Sequence, residues 1–164
     1  MNTLILNNLQ INQKLQRIAY EILENNSEDD ALYLVGVKGN GYLIAQELFT
    51  ILNEITDQVV KVAQVSVNKQ DPLSEPIQLS IPSEELHGTL ILIDDVINSG
   101  RTMQYALLKL LEKPVRKVKT VSLVDRKHRR YPIRCDYVGL TLSTTLQDRV
   151  EVKLEQGNNQ AYLV

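Results

Sequence analysis

The chain has 164 residues, enough for one domain with an ordinary hydrophobic core and no need of metal or disulfide staples. Its 18 basic and 20 acidic residues leave a net charge of -2, which excludes a global positive field for nucleic acid. The single Cys135 excludes an internal disulfide, and no apolar run approaches the roughly 20 residues that cross a bilayer. With no basic flank and apolar run of the signal-peptide kind at the N-terminus, the expected location is a reducing cytoplasm.

Between Gln10 and Asn25 the apolar residues Ile11, Leu15, Ile18, Ala19, Ile22 and Leu23 recur every three or four positions, which predicts an amphipathic helix ended by Asn25-Asn26-Ser27. ALYLVGV (31–37) reads as a strand. The Gly-bearing turn KGNG follows it, and then a second helix, YLIAQELFTILNEI. VVKVAQVSV (59–67) alternates as a strand does; NKQDPLSEP is a loop, and IQLSI is its predicted hairpin partner. A strand at 89–93 runs into Asp94-Asp95, a turn, a helix from Thr102 to about Glu112, and the strand KVKTVSLV (117–124). YVGLTL, RVEVKL and QAYLV are three further short strands, the last two joined by a GNN hairpin. Strands alternating with helices imply parallel crossovers, so an α/β fold whose central sheet is covered on both faces is expected.

The stretch DDVINSGRT carries the chemistry. A Gly-containing turn at a helix start offers unpaired N–H groups to an anion, which makes Ser99, Gly100, Arg101 and Thr102 a candidate phosphate cradle. Asp94 and Asp95 would repel phosphate, and suit hydroxyl groups or a hydrated Mg2+ beside it. A phosphorylated ribose satisfies both halves. The plainer alternative is an N-cap and a solvated loop; the position at a strand's carboxyl end, where open α/β sheets hold ligands, favours the functional reading. The Lys38-Gly39-Asn40-Gly41 turn lies at the same end of another strand and offers a place for a second anionic group.

These residues resemble the phosphoribosyl-pyrophosphate signature of the type I phosphoribosyltransferases. The runs RIAYEILENN, LVGVKGNGYLIAQEL, LILIDDVINSGRTMQYAL and LVDRKHRRYPIRCDYVG resemble, across nearly the whole chain, the pyrimidine operon attenuator and uracil phosphoribosyltransferase family. The resemblance implies one phosphoribosyltransferase domain over 1–164, with a mainly parallel sheet flanked by helices, a flexible β-hairpin loop and a small C-terminal hood. It implies transfer of the 5-phosphoribosyl group to a nucleobase, with uracil giving UMP and pyrophosphate, Mg2+ as cofactor, and a homodimer or larger assembly.

By the same resemblance Asp94 and Asp95 bind the ribose hydroxyls, directly or through Mg2+; Asn98 to Thr102 wrap the 5'-phosphate. Lys38 to Gly41 take the pyrophosphate, the loop 68–75 closes over the reacting centre, and Arg126 with the backbone at Tyr137 and Val138 contacts the base. For Asp125 and Arg126 the alternative is a surface ion pair. Asn98 stands where relatives acting on 6-oxopurines carry an acid, which argues against a purine substrate. The turn and the loop depart from the family's usual Thr-Arg-Gly and Arg-Asp-Asp-Leu runs. A second class therefore stays open, a nucleotide-sensing pyrimidine regulator with weak catalysis, and a purine phosphoribosyltransferase is a third. Lys127, His128, Arg129, Arg130 and Arg134 form the densest basic patch, either an RNA surface of the attenuator kind or a solvated loop.

Overall fold

The computed structural model describes residues 2–164. Strand β1 (Thr3–Leu6) leads into helix α1 (Asn8–Asn25), whose start is fixed by a reciprocal cap: Asn7 Oδ1 accepts from the Gln10 N–H and Gln10 Oε1 accepts from the Asn7 N–H, both at 2.9 Å. The helix therefore begins three residues before Ile11, where the apolar periodicity starts. Strand β2 (Ala31–Val37), helix α2 (Asn40–Ile55) and strand β3 (Val59–Ser66) follow, then the two-residue strand β4 (Gln78–Leu79). Strand β5 (Thr89–Ile97), helix α3 (Arg101–Leu110) and strand β6 (Lys117–Asp125) form the second crossover; β7 (Tyr137–Thr141), β8 (Val150–Lys153) and β9 (Gln160–Leu163) complete the chain.

The main sheet has the order β4-β3-β2-β5-β6-β7, parallel throughout except for β4 at its edge. β1, β9 and β8 make a separate antiparallel sheet of three strands, the hood. The predicted strand at 77–81 shrinks to Gln78–Leu79, so the β3–β4 hairpin is held by only two paired positions. YVGLTL joins the main sheet rather than the hood, and β1 takes the third place in the hood.

The pleat of β5 sorts its residues between two cores. Ile91 and Ile93 pack with α1, α2 and the hood residues Leu6, Val152 and Ala161. Leu90 and Leu92 pack with Met103, Ala106 and Leu110 of α3. Each of these wholly buried aliphatic side chains stabilises the fold by about 1.5–3 kcal/mol relative to exposure.

The order of strands decides where a ligand fits. From β2 the chain crosses outward to β3, whereas from β5 it crosses the opposite way to β6. β2 and β5 are neighbours, so their following loops diverge and leave a crevice at the switch point of the sheet. The Lys38–Gly41 turn and the Asn98–Thr102 turn are those two loops.

Candidate active site

Asp94 and Asp95 lie within β5, which remains paired with β6 as far as Ile97 and Asp125. Alternation sends their carboxylates to opposite sides of the strand. Asp94 is only 3% exposed, and its Oδ1 accepts from the Asp95 N–H at 2.9 Å. Burial, reinforced by the neighbouring Asp95 charge, pushes the Asp94 carboxyl up to about 7, although Lys69 Nζ stands 3.5 Å from Oδ2 and opposes the rise. Asp95 Oδ2 accepts from Asn40 Nδ2 at 2.9 Å, and the same nitrogen donates to the Val152 carbonyl at 2.8 Å. Asn40 thus ties the first turn to the acidic pair and to the hood. Its side-chain amide nitrogen is engaged by protein on both hydrogens.

The Asn98–Thr102 turn is shaped by Gly100, whose φ of 84° and ψ of 1° place it in the left-handed region. A Cβ there would lie 2.4 Å from Ile133 Cγ2, so no other residue fits without displacement. Ser99 Oγ accepts from the Arg101 N–H at 3.2 Å. The turn, with Lys69, Asp94 and Met103, lines a cavity of about 110 Å3 at the N-terminus of α3. On the β2 side, Gly41 lets α2 press against β5: a Cβ there would meet the Ile93 carbonyl at 2.6 Å. Lys38 is exposed and lines a separate cavity of about 300 Å3 with Ser66, Asn68 and Glu75.

The loop after β3 has its own hydrogen bonds. Asn68 Oδ1 accepts from the N–H groups of Gln70 and Asp71, and Ser74 Oγ donates to the Asp71 carbonyl. The Arg101 guanidinium donates to the Lys69 and Gln70 carbonyls and so draws the loop across the cavity, carrying Lys69 to Asp94.

The residues at the far side of the site are held by contacts within the protein. Arg126, expected to contact the base, is 7% exposed, and its guanidinium is engaged by Asn98 Oδ1, Thr144 Oγ1 and the Thr145 and Asp148 carbonyls. Tyr137 and Val138 open β7, with Tyr137 level with Val121, four residues before the end of β6. The Tyr137 hydroxyl accepts from Asn26 and the Val138 carbonyl from Arg17 of α1, so both lie back from the strand ends where the rest of the site gathers. Asp125 does not pair with Arg126 at the surface: it is 6% exposed and takes a bidentate bond from Arg129 at 3.0 and 2.9 Å. Of the basic patch, Lys127, Arg130 and Arg134 face outward, whereas Arg129 turns in and His128 Nε2 stands 3.1 Å from Thr144 Oγ1. The role of Asn40 was invisible in the sequence, because it depends on contacts with segments remote in the chain; Arg129 pairs with Asp125 only four residues away, but its bond to the Asn98 carbonyl is equally remote.

An open parallel sheet, with an anion-shaped turn beside an acidic pair at its switch point, defines a doubly wound α/β protein with a site for a polar, anionic ligand. Residues 1–154 match the family model of the phosphoribosyl transferase domain. "Bifunctional protein PyrR" of Bacillus cereus (strain AH820) is 34% identical over 167 residues and that of Elusimicrobium minutum (strain Pei191) 35% over 165, each match covering 95% of this chain and 92% of the relative. A hypoxanthine phosphoribosyltransferase from Staphylococcus aureus superposes with a TM-score of 0.73 at 16% identity, covering 90% of this chain and 80% of that one, a likeness of fold. The chain belongs to the type I phosphoribosyltransferases and, within them, to the bifunctional PyrR family. It is a phosphoribosyltransferase, and the family's substrates are phosphoribosyl pyrophosphate and a nucleobase.

Proposed function

We propose that the chain transfers the 5-phosphoribosyl group from phosphoribosyl pyrophosphate to uracil, giving UMP and pyrophosphate. The observation that carries this is the direct run of β5 from the acidic pair into the Gly100 turn, which sets hydroxyl acceptors beside an anion cradle at one strand end. In this reading the backbone of Asn98–Thr102 and the hydroxyls of Ser99 and Thr102 hold the 5'-phosphate. Asp94 and Asp95 accept from the ribose hydroxyls, and Lys38 with the backbone of Gly39–Gly41 meets the pyrophosphate. As the bond from the anomeric carbon to pyrophosphate breaks, the uracil nitrogen bonds to that carbon and releases its proton to solvent, the bonding pair leaving with pyrophosphate. The enzyme's share is to orient the two reactants and to exclude water from an oxocarbenium-like state.

The donor set fits Mg2+ shared with the substrate. Among the described residues no cluster of three His, Cys, Asp or Glu would hold a metal by itself. Mg2+ characteristically uses one or two carboxylates with substrate oxygens and water, and Asp94 and Asp95 supply two. When bound, the ion would neutralise charge developing on the departing pyrophosphate.

Uracil is favoured by Asn98. Arg126 has no acceptor atom, so the Asn98 atom it reaches must be the amide oxygen, and the NH2 group is the one left over. A donor there suits a carbonyl oxygen on the base; it has no lone pair for the protonated ring nitrogen of a 6-oxopurine. Pyrophosphate release measured with Mg2+, phosphoribosyl pyrophosphate and uracil, cytosine, hypoxanthine or guanine in turn tests the assignment. Uracil should give the highest kcat/KM. A higher value for hypoxanthine would overturn it, and tight UMP binding with no turnover on any base would leave the regulator reading standing.

A further inference from the structure

Strand β6 leaves the sheet at Asp125, and the next residues fold back along the phosphate turn. Three successive carbonyls at the end of β5 and the start of the turn meet donors from this segment: Ile97 O from the Arg126 N–H at 3.0 Å, Asn98 O from Arg129 Nη1 at 3.0 Å, and Ser99 O from the Arg130 and Tyr131 N–H groups at 2.9 and 3.1 Å. In a trans peptide the N–H points opposite to the carbonyl. Carbonyls turned toward 126–131 therefore send the N–H groups of Asn98, Ser99 and Gly100 the other way, toward the cavity these residues line, and none of the three meets a protein acceptor among the described residues. A basic run that reads in the sequence as a surface patch is, in its inward half, the mould of the anion cradle.

Arg126 extends this mould across the site. Its Nη1 donates to Asn98 Oδ1 at 2.9 Å, its Nε to Thr144 Oγ1 at 3.0 Å, and its Nη2 to the Thr145 carbonyl at 3.0 Å and to the Asp148 carbonyl. The residues 144–148 lead directly into β8 of the hood. Every one of these acceptors is neutral, and the adjacent Asp125 carboxylate is taken by Arg129. A guanidinium 7% exposed is thus held behind the turn with no carboxylate in direct contact; the Asp148 carboxylate feels its charge but is itself bonded to the Thr145 N–H and hydroxyl, an arrangement that leaves charge for an anion on the turn's far side.

We propose that Arg126 is a positioning residue for the transfer reaction: it locks the phosphate turn to the 144–148 loop through Asn98 and Thr144, and lends its charge to the bound phosphate without touching the base. The proposal rests on the reading that the turn takes the 5'-phosphate. Calorimetric titration of phosphoribosyl pyrophosphate with Mg2+, with no base present, tests it on the wild type and on Arg126→Lys, Arg126→Gln, Asn98→Ala and Thr144→Val. kcat and the KM of the base are measured in parallel.

Arg126→Lys keeps the charge and loses the bridge, and it should weaken phosphoribosyl pyrophosphate binding about tenfold; Arg126→Gln loses both and should weaken it further. Thr144→Val, at the remote end of the bridge, should lower kcat with a smaller change in affinity. The Arg126→Lys and Asn98→Ala effects should fall well short of additive in the double variant, since both cut one link. Unchanged phosphoribosyl pyrophosphate affinity in Arg126→Lys, with only the base's KM raised, makes Arg126 a base contact and overturns the proposal. A lowered melting temperature with full affinity in the folded protein overturns it too. If the wild type itself binds no phosphoribosyl pyrophosphate, the phosphate assignment fails, and this proposal with it.

Discussion

Replacing Asp94 by Asn should stabilise the protein, and by an amount that grows with pH. In the folded state burial and the Asp95 charge raise the Asp94 carboxyl from its ordinary 3.8 to about 7. The folded protein therefore holds that proton more tightly than the unfolded chain does. Asp94's contribution to stability is full below pH 3.8 and is lost as pH rises toward 7, at about 1.4 kcal/mol per pH unit, a ceiling of about 4 kcal/mol. Asn carries no charge at any pH and escapes this loss. Denaturant melts of wild type and Asp94→Asn at pH 4.5, 6 and 8 should show a gap that widens about fourfold, reaching about 1–4 kcal/mol in favour of the variant at pH 8, while phosphoribosyl transfer collapses.

Asp29, at the opposite end of the sheet, is an internal control with the reverse sign. Burial raises its carboxyl, but the Thr89 hydrogen bond and the Lys117 and Arg116 charges more than offset this and leave it below the ordinary value. Its stabilisation is present above pH 3.8 and lost on acidification. Asp29→Asn should therefore destabilise at neutral pH. A gap between wild type and Asp94→Asn that stays constant from pH 4.5 to 8 would refute the reasoning.

Gly100→Ala should cost about 2–5 kcal/mol, the sum of about 1–2 for a left-handed Ala and about 1–3 for a Cβ placed 2.4 Å from Ile133. Gly157→Ala, at a φ of 79° with nothing within 4 Å of the new Cβ, should cost only the first part; equal melting points for the two variants would dispose of the clash. Arg101→Ala removes the donors that hold the Lys69 and Gln70 carbonyls, and trypsin should then cut after Lys69 several-fold faster. An unchanged cleavage rate would mean that the loop is closed by something else.

The fold was legible where burial is continuous or periodic. ALYLVGV, LILID and KVKTVSLV are strands buried on both faces, and α1 and α2 show their apolar stripes plainly. β1 was not legible: TLIL is short, partly exposed, and paired with β9 at the other end of the chain, so its stability is wholly non-local. The sequence reading ended β5 at residue 93 because charge ends an apolar run, whereas the strand continues past both acids and pairs with β6 at Asp94, Val96 and Ile97. The acidic pair and the Gly100 turn could be recognised as local chemistry. Which way Arg126, Arg129 and Asn40 point could not, since no periodicity governs a loop in which Lys127 itself adopts a φ of 57°.

That illegible part gives the site its economy of charge. Asp94 and Arg126 are each buried without a close-paired countercharge: Asp94 faces an exposed Lys69 at 3.5 Å, and Arg126 bonds only to neutral oxygens, with the Asp148 carboxylate held by Thr145. Closer pairing would have neutralised both in the absence of ligand, as Arg129 does for Asp125. Kept apart on the two sides of the phosphate turn, one is left for a hydroxylated, cation-accompanied group and the other for an anion. A phosphorylated sugar carries both kinds of group, hydroxyls and an anion, so in the proposed reaction the substrate supplies the partners that the fold withholds.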